Sequence, residues 1–178
     1  MRQTQRIHDL VYIALSIALM AVCAWVQIPT AIPFTLQTFG VFTIAALLGP
    51  KRSLLAMLGY LLLGAFGLPV FSGFRSGAGV LFSATGGYII GFLFTALITG
   101  LLLARLGHTA PALAFSMAVG LAVCYLFGTL WYAYVYAAGN GFFAALTVCV
   151  VPFLPADICK IAGAVLLVRR LRTHLRLA

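Results

Sequence analysis

The sequence predicts an all-α integral membrane protein of six transmembrane helices with both termini in the cytoplasm, and three observations carry that reading. Of 178 residues, 64% are hydrophobic and only 7% charged, with a mean hydropathy of +1.16; a soluble domain carries about 25% charged residues. A spanning helix takes about 20 apolar residues, so this length holds about five to seven spans with short loops. Eleven Lys and Arg stand against two Asp and Glu, a net charge of +9, and the bases sit at the ends of apolar runs. Arg2 and Arg6 precede the first run, and Lys51 and Arg52 divide the second from the third. Arg105 follows the fourth, and Arg169, Arg170, Arg172 and Arg176 follow the last. Six spans put all of these on one side, cytoplasmic by the excess of bases there; five or seven scatter them. Only Arg75 falls outside and only Lys160 within a span. A soluble enzyme and a disordered chain are excluded, and the basic balance reads as membrane topology rather than nucleic-acid binding. The chain reads as one domain over 1–178, multi-pass in a bacterial cytoplasmic membrane, with the lipid bilayer as its surroundings.

The spans fall near 9–28, 36–50, 53–69, 84–104, 109–137 and 154–172. The apolar run 10–26 is longer than a signal-peptide core, and Val22 is too large to precede Cys23 in a lipoprotein cleavage site, so the run is retained as the first span. It carries Ala14, Ala18 and Ala21 on one stripe, which serves either packing within the chain or docking of another membrane subunit. The second and third spans are short and are joined by Pro50-Lys51-Arg52-Ser53, a helix stop and a charged turn. At 1.5 Å per residue they barely cross a core of about 30 Å, so the flanking loops should dip inward. The loops facing the cytoplasm are tight.

Three longer loops on the outer side hold the unusual residues. One leads from Pro29 through Thr35 to Gln37 and Thr38. The next runs from Gly67 to Tyr88 and includes Phe71, Phe74 and Arg75. The last passes Gly139-Asn140-Gly141 and an apolar stretch at 142–151 to reach Asp157 and Lys160. Irregular backbone at membrane depth must be buried in protein or line a wet cavity, so three such loops on one face suggest a site opening outward. Aromatic residues crowd this side, among them Trp25, Phe34, Trp131, Tyr132, Tyr134 and Phe153. An interfacial belt explains most of them. Phe71 and Phe74, in a Gly-rich loop, are better placed as ligand walls, and Tyr88 as a polar-tipped wall. Gly87-x-x-x-Gly91 beside it reads as helix packing.

The inventory of reactive groups excludes several chemistries. Asp9 and Asp157 are the only carboxylates, and His8, His108 and His174 all flank the cytoplasmic ends, so neither a catalytic triad nor a metal cluster can be assembled at the outer loops. Cys23, Cys124, Cys149 and Cys159 lack CxxC spacing and read as membrane hydrophobes. There is no GxxxxGK[ST], so uphill transport needs energy from a partner. No cofactor, metal or catalytic residue is expected. An ionisable residue within a span marks a functional site by default. Asp157 falls in the first turn after Pro155, where a carboxylate favours the helix dipole; Lys160 opposes that dipole one turn inward. At i, i+3 the two share a face, so they form a ligand site or an ion pair that neutralises itself. Thr35 and Gln37, with Thr38, add hydroxyl and amide groups nearby.

Four segments resemble the BioY family, the biotin-binding S components of energy-coupling-factor (ECF) vitamin transporters. They are Pro33-Phe34-Thr35-Leu36-Gln37-Thr38-Phe39, Gly67-Leu68-Pro69-Val70-Phe71, Thr85-Gly86-Gly87-Tyr88 with Gly91, and Pro152-Phe153-Leu154-Pro155-Ala156-Asp157 with Lys160. Ser83-Ala84 and Ala156 depart from the family pattern without removing a polar group. The resemblance implies six helices, an outward-facing biotin pocket, and an Ala-x-x-x-Ala motif, here Ala14 and Ala18, facing a transmembrane T component whose paired ATPases supply energy. Biotin's ureido N–H suits Asp157, its carbonyl suits Gln37 or Lys160, its rings suit Phe71, Phe74 and Tyr88, and its carboxylate suits Lys160 or Arg75. The alternatives are an S component for another vitamin, such as thiamine or riboflavin, and a stand-alone secondary carrier. A thiamine cation wants an acidic or aromatic cage, and a carrier wants titratable groups along a path and inverted repeats; neither is visible.

Overall fold

The structure, a computed structural model, describes residues 2–28, 34–136 and 142–174. Residues 29–33, Gly139-Asn140-Gly141 and Arg176 lie outside the described residues. The chain opens with α1 (Arg2–Trp25), which turns Met20, Cys23 and Ala24 into the bundle and leaves Leu10, Leu15 and Val22 outside. A two-stranded antiparallel ribbon follows, β1 (Gln27–Ile28) on β2 (Phe34–Thr35), with Gln27 opposite Thr35.

The helix α2 (Gln37–Ala65) is broken at Gly49, whose φ of 74° and ψ of −179° leave the helical region. Glycine tolerates that positive φ, and Pro50 after it has no N–H with which to continue the ladder. The chain reverses there. Gln37 Nε2 donates to Tyr60 Oη at 2.9 Å, whereas a straight helix would hold residues 23 apart in sequence about 35 Å from each other. Thus α2 is a hairpin of two arms, 37–48 and 50–65, which are the expected second and third spans. With α4 (Gly86–Leu106), α5 (Ala110–Trp131) and α7 (Leu154–His174) the crossings number six. Counted by length and composition, with both arms of α2 taken together, five described helices are long and apolar enough to cross a membrane. The short α3 (Ala78–Leu81) precedes α4, and α6 (Phe142–Cys149) precedes α7. The expectation of a plain loop at 142–151 missed α6, because a short apolar run shows neither span length nor clear periodicity.

The two ends of the bundle differ in kind. At one, Arg52 Nη2 pairs with Asp9 Oδ1 at 2.8 Å and Arg172 Nη1 donates to the Ala46 carbonyl at 3.4 Å. The start of α1, the α2 turn and the end of α7 therefore meet there, as the clustering of bases predicts. At the other end, aromatic residues pin the loops. Trp25 Nε1 donates to the Pro69 carbonyl at 2.9 Å and the ring stacks on Phe74, Phe34 stacks on Phe153, and Trp131 Nε1 donates to the Ser83 carbonyl.

Between α4 and α5 the helices approach through missing side chains. A Cβ on Gly87 would lie 2.2 Å from Trp131, one on Gly128 2.3 Å from Tyr88, and one on Gly91 3.0 Å from Cys124 Sγ. This is the packing role expected of Gly87-x-x-x-Gly91. A Cβ on Gly100 would lie 2.7 Å from the Pro50 backbone, so α4 also buttresses the α2 turn. Gly100→Ala should cost about 1–3 kcal/mol by overpacking and lower the melting temperature in detergent. Gly79→Ala, where a Cβ meets nothing within 4 Å, should not; equal melting of the two would mean that the turn does not bear on α4.

Candidate functional site

The site lies at the aromatic end, where the first arm of α2, the loop after its second arm, and the helices α4, α5 and α7 converge. A cavity of about 70 Å³ sits among them. Thr35, Gln37 and Thr38 line it from the start of α2, Tyr88, Ile89 and Phe92 from α4, and Cys124 and Tyr125 from α5. Ser72, Thr85, Cys149 and Phe153 close it.

Two buried polar systems support its walls. In the first, Gln37 is 4% exposed and bonded at both ends of its amide. Its Oε1 accepts from Thr35 Oγ1 at 2.9 Å and its Nε2 donates to Tyr60 Oη, which donates in turn to the Val70 carbonyl at 2.9 Å. The chain of bonds ties the α2 N-terminus to the loop that follows the second arm. In the second, Asp157 is 2% exposed in the first turn of α7. Its Oδ1 accepts from Thr38 Oγ1 at 2.9 Å and from Lys160 Nζ at 2.7 Å, and its Oδ2 accepts from Tyr125 Oη. Burying a carboxylate costs several kcal/mol unless a partner and further hydrogen bonds offset it, and here three donors from three helices do so. Tyr88 Oη shares a hydrogen bond with Thr129 Oγ1 at 3.2 Å.

The sequence pattern of the BioY family matches residues 1–177. The chain belongs to the BioY family. It is 43% identical over 157 residues to the biotin transporter BioY of Thermotoga maritima, covering 87% of this chain and 90% of that one. It is 38% identical over 161 residues to the probable biotin transporter BioY of Pyrococcus horikoshii, covering 90% and 93%. Its fold matches the crystal structure of the S-component for biotin from an ECF-type ABC transporter with a TM-score of 0.88 and 28% identity, over 97% of this chain and 95% of that one.

Within this BioY-family fold the expected site residues divide. Thr35, Gln37 and Tyr88 line the cavity. Asp157 and Lys160 do not line it themselves; they stand behind Thr38 and Tyr125, which do. The ion pair is closed at i, i+3 and is also bonded, through Thr38 and Tyr125, to the cavity wall. Phe71, expected as a wall, is a correction. Its ring is fully buried against Tyr60, in the space that a Cβ on Gly64 would occupy. Phe74 is 63% exposed and stacks on Trp25, and Arg75 is exposed with its Nε on the Ser72 carbonyl at 3.3 Å; both stand outside the cavity. Ala14 and Ala18 are exposed on α1, whereas Ala21 is in the core with Val70 and Phe71 and does not continue their stripe.

Tyr125 is the residue that sequence reading passed over. The signal was present: a tyrosine hydroxyl in mid-span needs a partner when buried. All four cysteines are free, and the described residues contain no group of three metal-ligating side chains. Lys160→Met should cost about 3–5 kcal/mol by leaving the Asp157 carboxylate without its counter-charge. The double variant Asp157→Asn/Lys160→Met should lose less than the two singles combined, by about 0.5–3 kcal/mol. Unfolding in detergent measures both; strictly additive losses would mean that the two charges are solvated separately.

Proposed function

We propose that the chain serves biotin uptake across the cytoplasmic membrane as an outward-facing, high-affinity S component, energised by an ECF module of a transmembrane T component and paired ATPases. The observation that carries this reading is the buried Asp157–Lys160 pair, bonded through Thr38 and Tyr125 to the wall of a loop-covered cavity in a BioY-family chain. The named relatives and the matched crystal structure are described as handling biotin.

The geometry suggests how the roles divide. A carboxylate has about four acceptor directions, and three of those on Asp157 are filled, so one remains for a ureido N–H once Thr38 or Tyr125 shifts from the cavity wall. Gln37 keeps one amide hydrogen beyond its bond to Tyr60 and can donate to the ureido carbonyl. Ile89, Phe92 and Phe153, rather than Phe71, offer apolar walls for the bicycle, with Tyr88 beside them. Lys160 is committed to Asp157, which leaves Arg75, anchored on Ser72 at the cavity rim, as the cation for the ligand carboxylate. Small-molecule sites usually span about 300–1,000 Å³, so the loop 66–77 and the β-ribbon must part to seat the ligand. Exposed Ala14 and Ala18 leave a surface that lets another helix approach closely, as docking on the T component requires.

Calorimetric titration of the detergent-purified chain should show biotin binding and no heat with thiamine or riboflavin. Asp157→Asn should weaken biotin by about 10- to 100-fold, the value of a hydrogen bond to a charged group. No binding by folded protein, or binding of another vitamin instead, would overturn the substrate assignment. Arg75→Gln should weaken biotin but leave its uncharged methyl ester unaffected; equal loss for both ligands would remove Arg75 from the carboxylate. Biotin should also change the intrinsic fluorescence of Trp25, which is held by the loop that must move, and Trp25→Phe should remove most of that signal.

A further inference from the structure

The basic end holds a second hollow, remote from the cavity just described. It encloses about 190 Å³ where the first arm of α2 ends, bounded by the Gly49–Pro50 turn, Gly100, Arg52, His108 and Arg172. The turn makes it polar. Because Pro50 lacks an N–H, the Ala46 carbonyl, one helical turn before it, has no helical donor. Arg172 reaches that carbonyl, which engages one of the five N–H donors of its guanidinium. Arg52 is paired with Asp9. Burial first, and the Arg172 charge second, hold the His108 imidazole below its ordinary range against a hydrogen bond to Ala46. At neutral pH, His108 is a neutral hydrogen-bonding group, and of the two arginines lining this hollow Arg172 has no carboxylate partner among the described residues.

Capping of open carbonyls accounts for the Arg172 contact but not for what adjoins it. A third hollow of about 140 Å³ runs between α1 and the first arm of α2, walled by Tyr12, Leu15, Leu19 and Ile44, and it shares Leu47 and Leu48 with the basic hollow. The side chains of Tyr12, Leu15 and Leu19 are exposed on the bundle surface. A cationic recess at the end of a bundle, sharing a wall with an apolar groove along its side, matches an amphiphile with an anionic head. Arginine recognises phosphate oxygens well, and basic recesses between helices at the cytoplasmic side suit anionic head groups. We infer that one anionic phospholipid binds here, its phosphate at Arg172 and His108 and an acyl chain along the α1–α2 groove. This site is independent of what the outer cavity binds.

Native mass spectrometry of the detergent-purified full chain tests it, with dioleoyl-phosphatidylglycerol, dioleoyl-phosphatidylcholine and inorganic phosphate as probes. One phosphatidylglycerol should be retained in preference to phosphatidylcholine of the same chains, and excess inorganic phosphate should not displace it. Arg172→Gln should lower its retention by about fivefold, the value of one base near an anionic lipid, and Leu15→Trp should lower it by filling the groove. Lys51→Gln, an exposed base that lines neither hollow, should have no effect. Equal retention of the two lipids, displacement by inorganic phosphate, or equal loss with Lys51→Gln and Arg172→Gln would overturn the proposal. Gel filtration and melting check that each variant folds; if one does not, the discrimination between lipids by the unaltered chain decides alone.

Discussion

The buried carboxylate of Asp157 is the constraint around which the aromatic half of the bundle is organised. Its three donors come from α2, α5 and α7, so each helix must sit in register for the charge to be tolerated. Two of those donors, Thr38 and Tyr125, also form cavity wall. Stability and site geometry therefore depend on the same bonds. A polar network satisfied in this way is rigid, and one left partly satisfied is costly, which favours a single arrangement of the three helices over near alternatives.

Beside its clusters of buried apolar side chains, such as Phe42, Leu113 and Met117, the bundle holds together through close backbone approach. Where α4 meets α5, Gly87, Gly91, Gly120 and Gly128 admit Trp131, Cys124, Thr99 and Tyr88. Thr95 and Thr99 hydroxyls cross to the Gly120 and Ser116 carbonyls. In a bilayer, where lipid is as apolar as leucine, such small-residue contacts and interhelical hydrogen bonds replace the hydrophobic drive of a soluble core.

Much of this was legible in the sequence, and the limits have physical causes. Apolar run lengths and the placement of Lys and Arg reveal six crossings with the bases at one end, and the i, i+3 spacing of Asp157 and Lys160 puts on one face the two charges that pair there. The hydroxyl of Tyr125 signalled a need for some partner but not which one, because it sits in a helix apolar all round and the carboxylate that holds it is 32 residues away in sequence. Phe71 was misplaced because its burial is decided by a missing Cβ on Gly64; a Gly-rich loop by itself suggests an open ring. Ala21 shares a helical face with Ala14, yet the loop carrying Val70 and Phe71 covers the end of α1 and takes it into the core. In each case a tertiary neighbour overrides a local pattern.

The reversal at Gly49–Pro50 bears on how the chain enters a membrane at all. An arm of twelve residues, 37–48, rises about 18 Å, well short of the about 30 Å of hydrocarbon, and is too short to be held there as an independent span. The two arms must partition together, as one wedge of two helical arms tied to each other by bonds such as Gln37 on Tyr60. Lys51 and Arg52 at its tip anchor that wedge on the side where the bases gather. The unit of insertion in this part of the chain is thus the hairpin, and a change that straightened its turn would disturb membrane topology before it disturbed any contact in the finished bundle.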